Sequence, residues 1–218
     1  MALPTKACIL GGVGCIASAT IGLSQARSSL SVREKLGIEG YILISSKDKV
    51  ATEAWKNRAT LYKREPRTLM LRGLRDEDVL SDGNKLKEEC SKYTDKDVPT
   101  NLIGEDGYEK ITKLCTVNIK EYIQSHLNET NGEKIIGKDD QHDWKEVFDK
   151  HKEEITKVIK EIKDDNFKDK LFKFCEEVFS LQKSNSNKDK EYQANQWCVK
   201  RKEKPKPSGK RTDQQEEN

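Results

Sequence analysis

The chain has little of what usually holds a globular domain together. Only 33% of its 218 residues are hydrophobic and 6% aromatic, while 36% are charged; soluble domains ordinarily carry about 45–50% apolar and about 25% charged residues. A thin core follows, and small units with thin cores commonly need covalent staples. There is no excess of one sign of charge, since 41 Lys and Arg stand against 38 Asp and Glu for a net +3. That balance disfavours nucleic acid as a partner. Catalytic signatures are also missing. The three histidines, His126, His142 and His151, belong to no zinc-protease pattern, and there is no Gly-rich phosphate loop, nucleophile elbow or Cys/His/Asn arrangement. His151 falls in an apolar stripe as a core-edge residue, and His142 in a charged cap region. The pairs Asp139–Asp140 and Asp164–Asp165 read as helix-start charges rather than a general acid and base. No catalytic residue, cofactor or metal is therefore expected; an enzyme with an unrecognised site is an alternative.

What is present is a pattern that occurs twice. Trp55, Leu86, Cys90, Tyr108 and Cys115 are matched by Trp144, Leu171, Cys175, Tyr192 and Cys198 at offsets of 89, 85, 85, 84 and 83 residues, and Val32 is matched by Val117 at 85. Near-constant spacing in rare residue types predicts a tandem duplication with a period far beyond that of common solenoids. The fold class expected is mostly α: an N-terminal apolar helix, two related small helical halves over 29–115 and 116–199, and a disordered charged tail over 200–218.

In the first half, Ser29–Leu36 reads as a short helix ended by Gly37, and Gly40–Ile44 as a buried extended run. Ala51, Trp55, Ala59 and Tyr62 form one helical face over Asp48–Lys63, which stops before Pro66. Arg64–Gly83 reads as loop, Lys85–Tyr93 as helix and Pro99–Gly107 as a break, followed by a helical spacing of Tyr108, Ile111, Leu114 and Cys115. In the second half the opening helix recurs over Cys115–Leu127, Asn131–Gly132 is a turn, and Ile135–Ile136 stands where the earlier apolar run stood. A long helix over Asp140–Ile162 carries Trp144, Val147, Phe148, His151, Ile155, Val158, Ile159 and Ile162; another carries Phe167, Leu171, Phe174, Cys175, Val178 and Phe179. A polar loop over Ser184–Asp189 leads to Tyr192–Val199. Trp55, Tyr62, Leu86, Trp144, Phe148 and Leu171 are the predicted repeat core, a cheaper account of the aromatics than a sugar-stacking platform.

Four of the six cysteines, Cys90, Cys115, Cys175 and Cys198, lie in these halves. Their wide spacing without a Cys-x-x-Cys pair does not resemble zinc hooks. One disulfide per half is the better reading. In the chain-entropy model a Cys90–Cys115 bridge closing about 26 residues contributes roughly 3–4 kcal/mol. Bridged cysteines imply an oxidising compartment, hence an exported body.

Residues 7–23 are uncharged and lie between Lys6 and Arg27; as a helix they would reach about 25 Å, near the lower limit for a membrane span. Three readings stay open: an uncleaved signal anchor, a signal peptide cut after Ala19, and a lipoprotein signal with Cys15 as the lipidated residue, which Gly12 disfavours. Gly14, Ser18 and Gly22 have small-xxx-small spacing, better explained as a small-residue export signal. Arg27, Arg33 and Lys35 follow the stretch, so the positive-inside rule alone would keep the body in the cytoplasm; the cysteines argue for the outside. Beyond Lys200 a basic run, Pro-Lys-Pro and an acidic end predict disorder.

The N-terminal apolar segment, the Ser31-Val32-Arg33-Glu34-Lys35-Leu36 helix, Gly40-Tyr41-Ile42-Leu43, Trp55, Tyr62-Lys63, Leu86-Lys87, Cys90, and Cys115 followed at once by Thr116-Val117 together resemble the large paralogous families of functionally uncharacterised proteins of haemotropic mycoplasmas. The resemblance spans residues 1 to about 200 and rests on spacing. The second half departs from it, with Ile135–Ile136 in place of the aromatic-containing run and Phe148 and His151 near the expected Tyr. It implies export or membrane association in a wall-less bacterium and a part in surface variation and host contact, with no catalytic or binding residues to carry over. The function expected is thus a membrane-tethered, extracellular interaction or antigenic module. Its partners would be the membrane, through residues 7–23, and a host or surface protein; no small-molecule ligand is assigned. The alternative is an intracellular membrane-face protein whose basic tail binds nucleic acid or anionic lipid.

Overall fold

A computed structural model describes residues 30–45, 49–71, 74–75, 79 and 82–201. The expected N-terminal helix, Cys8, Cys15, the small-residue stripe and residues 202–218 of the tail lie outside the described residues. The described chain is mostly helical. None of its helices is long and apolar enough to cross a membrane.

Helix α1 (Val32–Ile38) starts at a reciprocal cap. The Glu34 amide donates to Ser31 Oγ and the Ser31 amide donates to the Glu34 carboxylate, which satisfies two amides that a helix start otherwise leaves unpaired. The Ser31 amide, and after it the Ser31 hydroxyl, donate to the Glu34 carboxylate and hold its carboxyl below the usual range. Beyond α1, the Ile42–Ile44 run is extended: Ile44 N–H donates to the Cys115 carbonyl (3.0 Å) and Val117 N–H to that of Ile42 (2.8 Å). Helix α2 (Ala51–Arg64) turns Ala51, Ala54, Trp55, Ala59 and Tyr62 inward and gives way to a single turn, α3 (Pro66–Leu69), with Pro at its first position, where a missing N–H costs nothing.

The stretch expected as loop between Arg64 and Gly83 thus contains α3, and it buries Leu69, Leu71, Leu74 and Val79 in the first core. Single leucines spread through polar sequence have no period to betray them. Helix α4 (Asn84–Thr94) carries Cys90. Helix α5 (Thr100–Cys115) begins inside the expected break and is bent at Gly104 (φ 68°, ψ 176°), a conformation essentially reserved for glycine. The break is a kink.

Helix α6 (Ile119–His126) repeats the reciprocal cap, with Asn118 and Glu121 as its partners. Strand β1 (Lys134–Ile135) precedes α7 (Gln141–Val158). The expected helix over Asp140–Ile162 ends earlier, at Val158, and is interrupted at His151 (φ −118°, ψ 18°). Ile162 still reaches the core from outside the helix, while Val158 faces solvent. Helices α8 (Phe167–Ser180) and α9 (Lys188–Trp197) complete the half, and strand β2 (Val199–Lys200) pairs antiparallel with β1, Ile135 facing Val199.

The two sets of helices close around separate cores, one from Val32 to Val117 and one from Ile119 to Val199. Their backbone closures correspond. Ile44 bonds to the Cys115 carbonyl and Ile136 to that of Cys198, both at 3.0 Å; Val32 bonds to Val98 (2.8 Å) and Ile119 to Leu181 (2.9 Å). Each half is therefore tied twice, once at its opening helix and once after its last cysteine.

Candidate functional site

The predicted site residues divide into groups that hold the fold and surfaces that meet solvent. The Cys90 and Cys115 sulfurs are 2.06 Å apart and those of Cys175 and Cys198 are 1.98 Å apart. All four residues are buried, as are Trp55, Tyr62, Leu86, Trp144, Phe148 and Leu171. Tyr62 donates its hydroxyl to the Leu74 carbonyl (3.1 Å), the Trp144 indole donates to the Gly137 carbonyl (2.8 Å), and Phe148 stacks on Phe167 with centroids 5.0 Å apart. An aromatic ring with no free face offers no stacking surface. These residues are core. The match between Tyr108 and Tyr192 ends at sequence: Tyr108 is buried and donates to Glu39 Oε2 (2.9 Å), whereas Tyr192 is 63% exposed. Burial, together with the Glu39 carboxylate, pushes the Tyr108 hydroxyl above the ordinary phenol range, and burial does the same for Tyr41.

Among the described residues, His142, Asp143 and Glu146 form a group whose ligand atoms converge within 4.8 Å. Asp143 and Glu146 border a cleft of about 160 Å³ that also touches Val147, His151 and Lys200. Asp143 is already engaged, by Lys200 Nζ at 2.5 Å and Lys134 Nζ at 3.2 Å. Burial alone would push its carboxyl up, but the two ammonium groups outweigh burial and hold it below the usual range. Two resident cations occupy the charge that a metal would need.

The halves meet at a second charged group, which sequence reasoning did not single out. Arg58 on α2 donates from Nη1 to Glu121 Oε1 (3.0 Å) and from Nη2 to Oε2 (2.7 Å), with a further bond from Nη2 to the Thr116 carbonyl (2.7 Å). Both side chains are almost completely enclosed. Nearby, Asn185 donates its amide to the Glu39 carbonyl (2.8 Å) and its side chain to that of Ile38 (3.1 Å). Gly40 (φ 75°) lies beneath it, and a Cβ there would come within 2.9 Å of the Asn185 backbone nitrogen. These contacts join the halves.

The surface feature of another kind is a groove of about 330 Å³ between the α3 end and α5, lined by Met70, Leu71, Tyr93, Leu102, Ile103 and Ile111 together with Asp106 and Lys110. Leu102 is 75% exposed and Met70 50%. The Gly104 kink sets Thr100–Ile103 off as a separate turn. Its only signal in sequence is the Leu102–Ile103 pair within the Pro/Gly-bounded break.

Compared with known proteins, the chain matches no protein-family model, no curated protein and no solved structure.

Proposed function

We propose that this chain is an exported surface module, held at the membrane through residues 7–23 with its body outside the cell, and that it works through non-catalytic contact with a host or surface protein. The observation that carries the reading is the pair of bridges, Cys90–Cys115 and Cys175–Cys198, one within each core. A reducing cytosol would keep such thiols apart, so a body built around them belongs to an oxidising space. We further read the halves as a tandem duplication that gave a doubled, stapled unit. In support, the reciprocal caps at Ser31 and Asn118, the extended runs bonded to Cys115 and Cys198, and the closures at Val98 and Leu181 recur in the same order. Kinship with the paralogous families of haemotropic mycoplasmas belongs to this proposal. Two measurements on intact cells test it. External protease should degrade the body, and peptide mapping without reductant should recover the two bridged pairs. Full protection of the body, or free thiols at all four positions, would overturn the reading.

A further inference from the structure

The Met70–Leu102 groove lies close to Leu30, where the described chain begins. Thr100, the first residue of α5, donates its amide to the carbonyl of Leu30 (3.0 Å), and Ser31 bridges to Pro99. The chain that arrives from the uncharged stretch 7–23 is thereby pinned two residues from Leu102. Only seven Cα steps separate Leu23 from Leu30, at most about 25 Å of fully extended chain. Wherever residues 7–23 enter a membrane, the α5 turn is held within that distance of it. Leu102 and Met70 are the side chains exposed there, apolar and unbranched or singly branched, with Ile103 and Tyr93 behind them.

We infer that this groove is a membrane-contact face, in which Leu102, Met70 and Ile103 enter the headgroup boundary of the bilayer that holds residues 7–23. The inference rests on the tether reading above. Its chemistry is apolar. From residue 95 to 110 five acidic side chains stand against two basic ones, and from 64 to 75 four basic against one acidic, so the two flanks balance at six of each sign, and zwitterionic lipid is the occupant. The bent turn suits the task. With Gly104 in a glycine-only conformation, Thr100–Ile103 leaves the axis of the rest of α5 and carries Leu102 away from the core. The body would then sit with its first half against the membrane; Tyr192, on α9 of the second half, lines no part of the groove.

The full chain reconstituted in phosphatidylcholine vesicles tests this, with a fluorescent reporter at either position. Leu102→Trp should be quenched by lipid spin-labelled near the headgroup, while Tyr192→Trp, also exposed, should show no quenching beyond that of the parent protein. Met70→Glu placed in the Leu102→Trp chain should weaken that quenching, and Met70, half exposed, tolerates the change without unfolding. Adding anionic lipid should leave the quenching unchanged. If the chain floats with vesicles and the Leu102→Trp variant is no more quenched than Tyr192→Trp, the groove does not touch the membrane, and the tether survives. Failure to float at all removes the tether and this inference with it. Lipid-independent protection of the Leu102→Trp reporter in a chain of dimeric mass would instead assign the groove to a second copy and overturn the proposal.

Discussion

Arg58 and Glu121 show how much a single residue pair can decide in a polar chain. Among so many charged residues neither is conspicuous, yet Arg58 is 3% and Glu121 2% exposed, and the carboxylate serves two purposes. It accepts the guanidinium across the junction of the halves and caps α6 by accepting the Asn118 amide (3.0 Å). Removing one member leaves the other charged, desolvated and unpaired. Arg58→Ala should lower stability by about 3–5 kcal/mol, and Arg58→Met with Glu121→Leu should recover most of that loss apart from about 1 kcal/mol for the cap. Urea unfolding of the two variants gives the comparison; a loss below about 1 kcal/mol for Arg58→Ala would mean that water reaches the pair. Such a bond spans 63 residues, and no local pattern announces it.

At the scale of elements, periodic stretches were legible and aperiodic ones were not. Trp55, Ala59 and Tyr62 on α2, and Leu171, Cys175 and Val178 on α8, repeat at four and three residues and face inward as that period requires. The segment from Arg64 to Gly83 has no period, so its buried leucines and its α3 turn emerge only from packing. The start of α7 links to β1 and β2 by charge. Asp140 is held below the usual carboxylate range chiefly by Lys134, with the Gly137 amide adding to it, and Asp143 is lowered by Lys200 and Lys134 against its own burial. A lowered carboxyl stabilises the fold above its unfolded value, and the contribution fades as pH falls through the lower folded value. Urea midpoints should therefore hold steady at neutral pH and decline below about pH 4, more shallowly in Asp143→Asn. An equal acid slope in the variant would show that Asp143 has no part in it.

Across the whole molecule, the two cores are separate in residues but not in bonding. Arg58 crosses from one to the other, Asn185 rests over Gly40, and Gln182 Nε2 donates to the Lys113 carbonyl (2.9 Å). A staple lost from one half should therefore be felt by both. Replacing Cys175 and Cys198 together by serine opens a closure of 23 residues and should lower stability by about 3.5 kcal/mol in the chain-entropy model. Helical circular dichroism and tryptophan fluorescence should still report one coincident transition. Two resolved transitions would mean that the halves fold independently and that their junction is adventitious.

By itself the sequence determined the helical class, the small share of apolar residues and the recurring spacing of its four body cysteines. Each depends on composition or on spacing along the chain, and those act before any tertiary contact forms. Only the tertiary structure decided that Cys90 would reach Cys115 and Cys175 reach Cys198, that Glu121 would meet Arg58, that Asn185 would settle on Gly40, that the Arg64–Gly83 stretch would supply core, and that Leu102 would stand exposed two residues from the Thr100–Leu30 bond. Those outcomes depend on where distant backbones close on one another. Period and spacing carry no record of that closure.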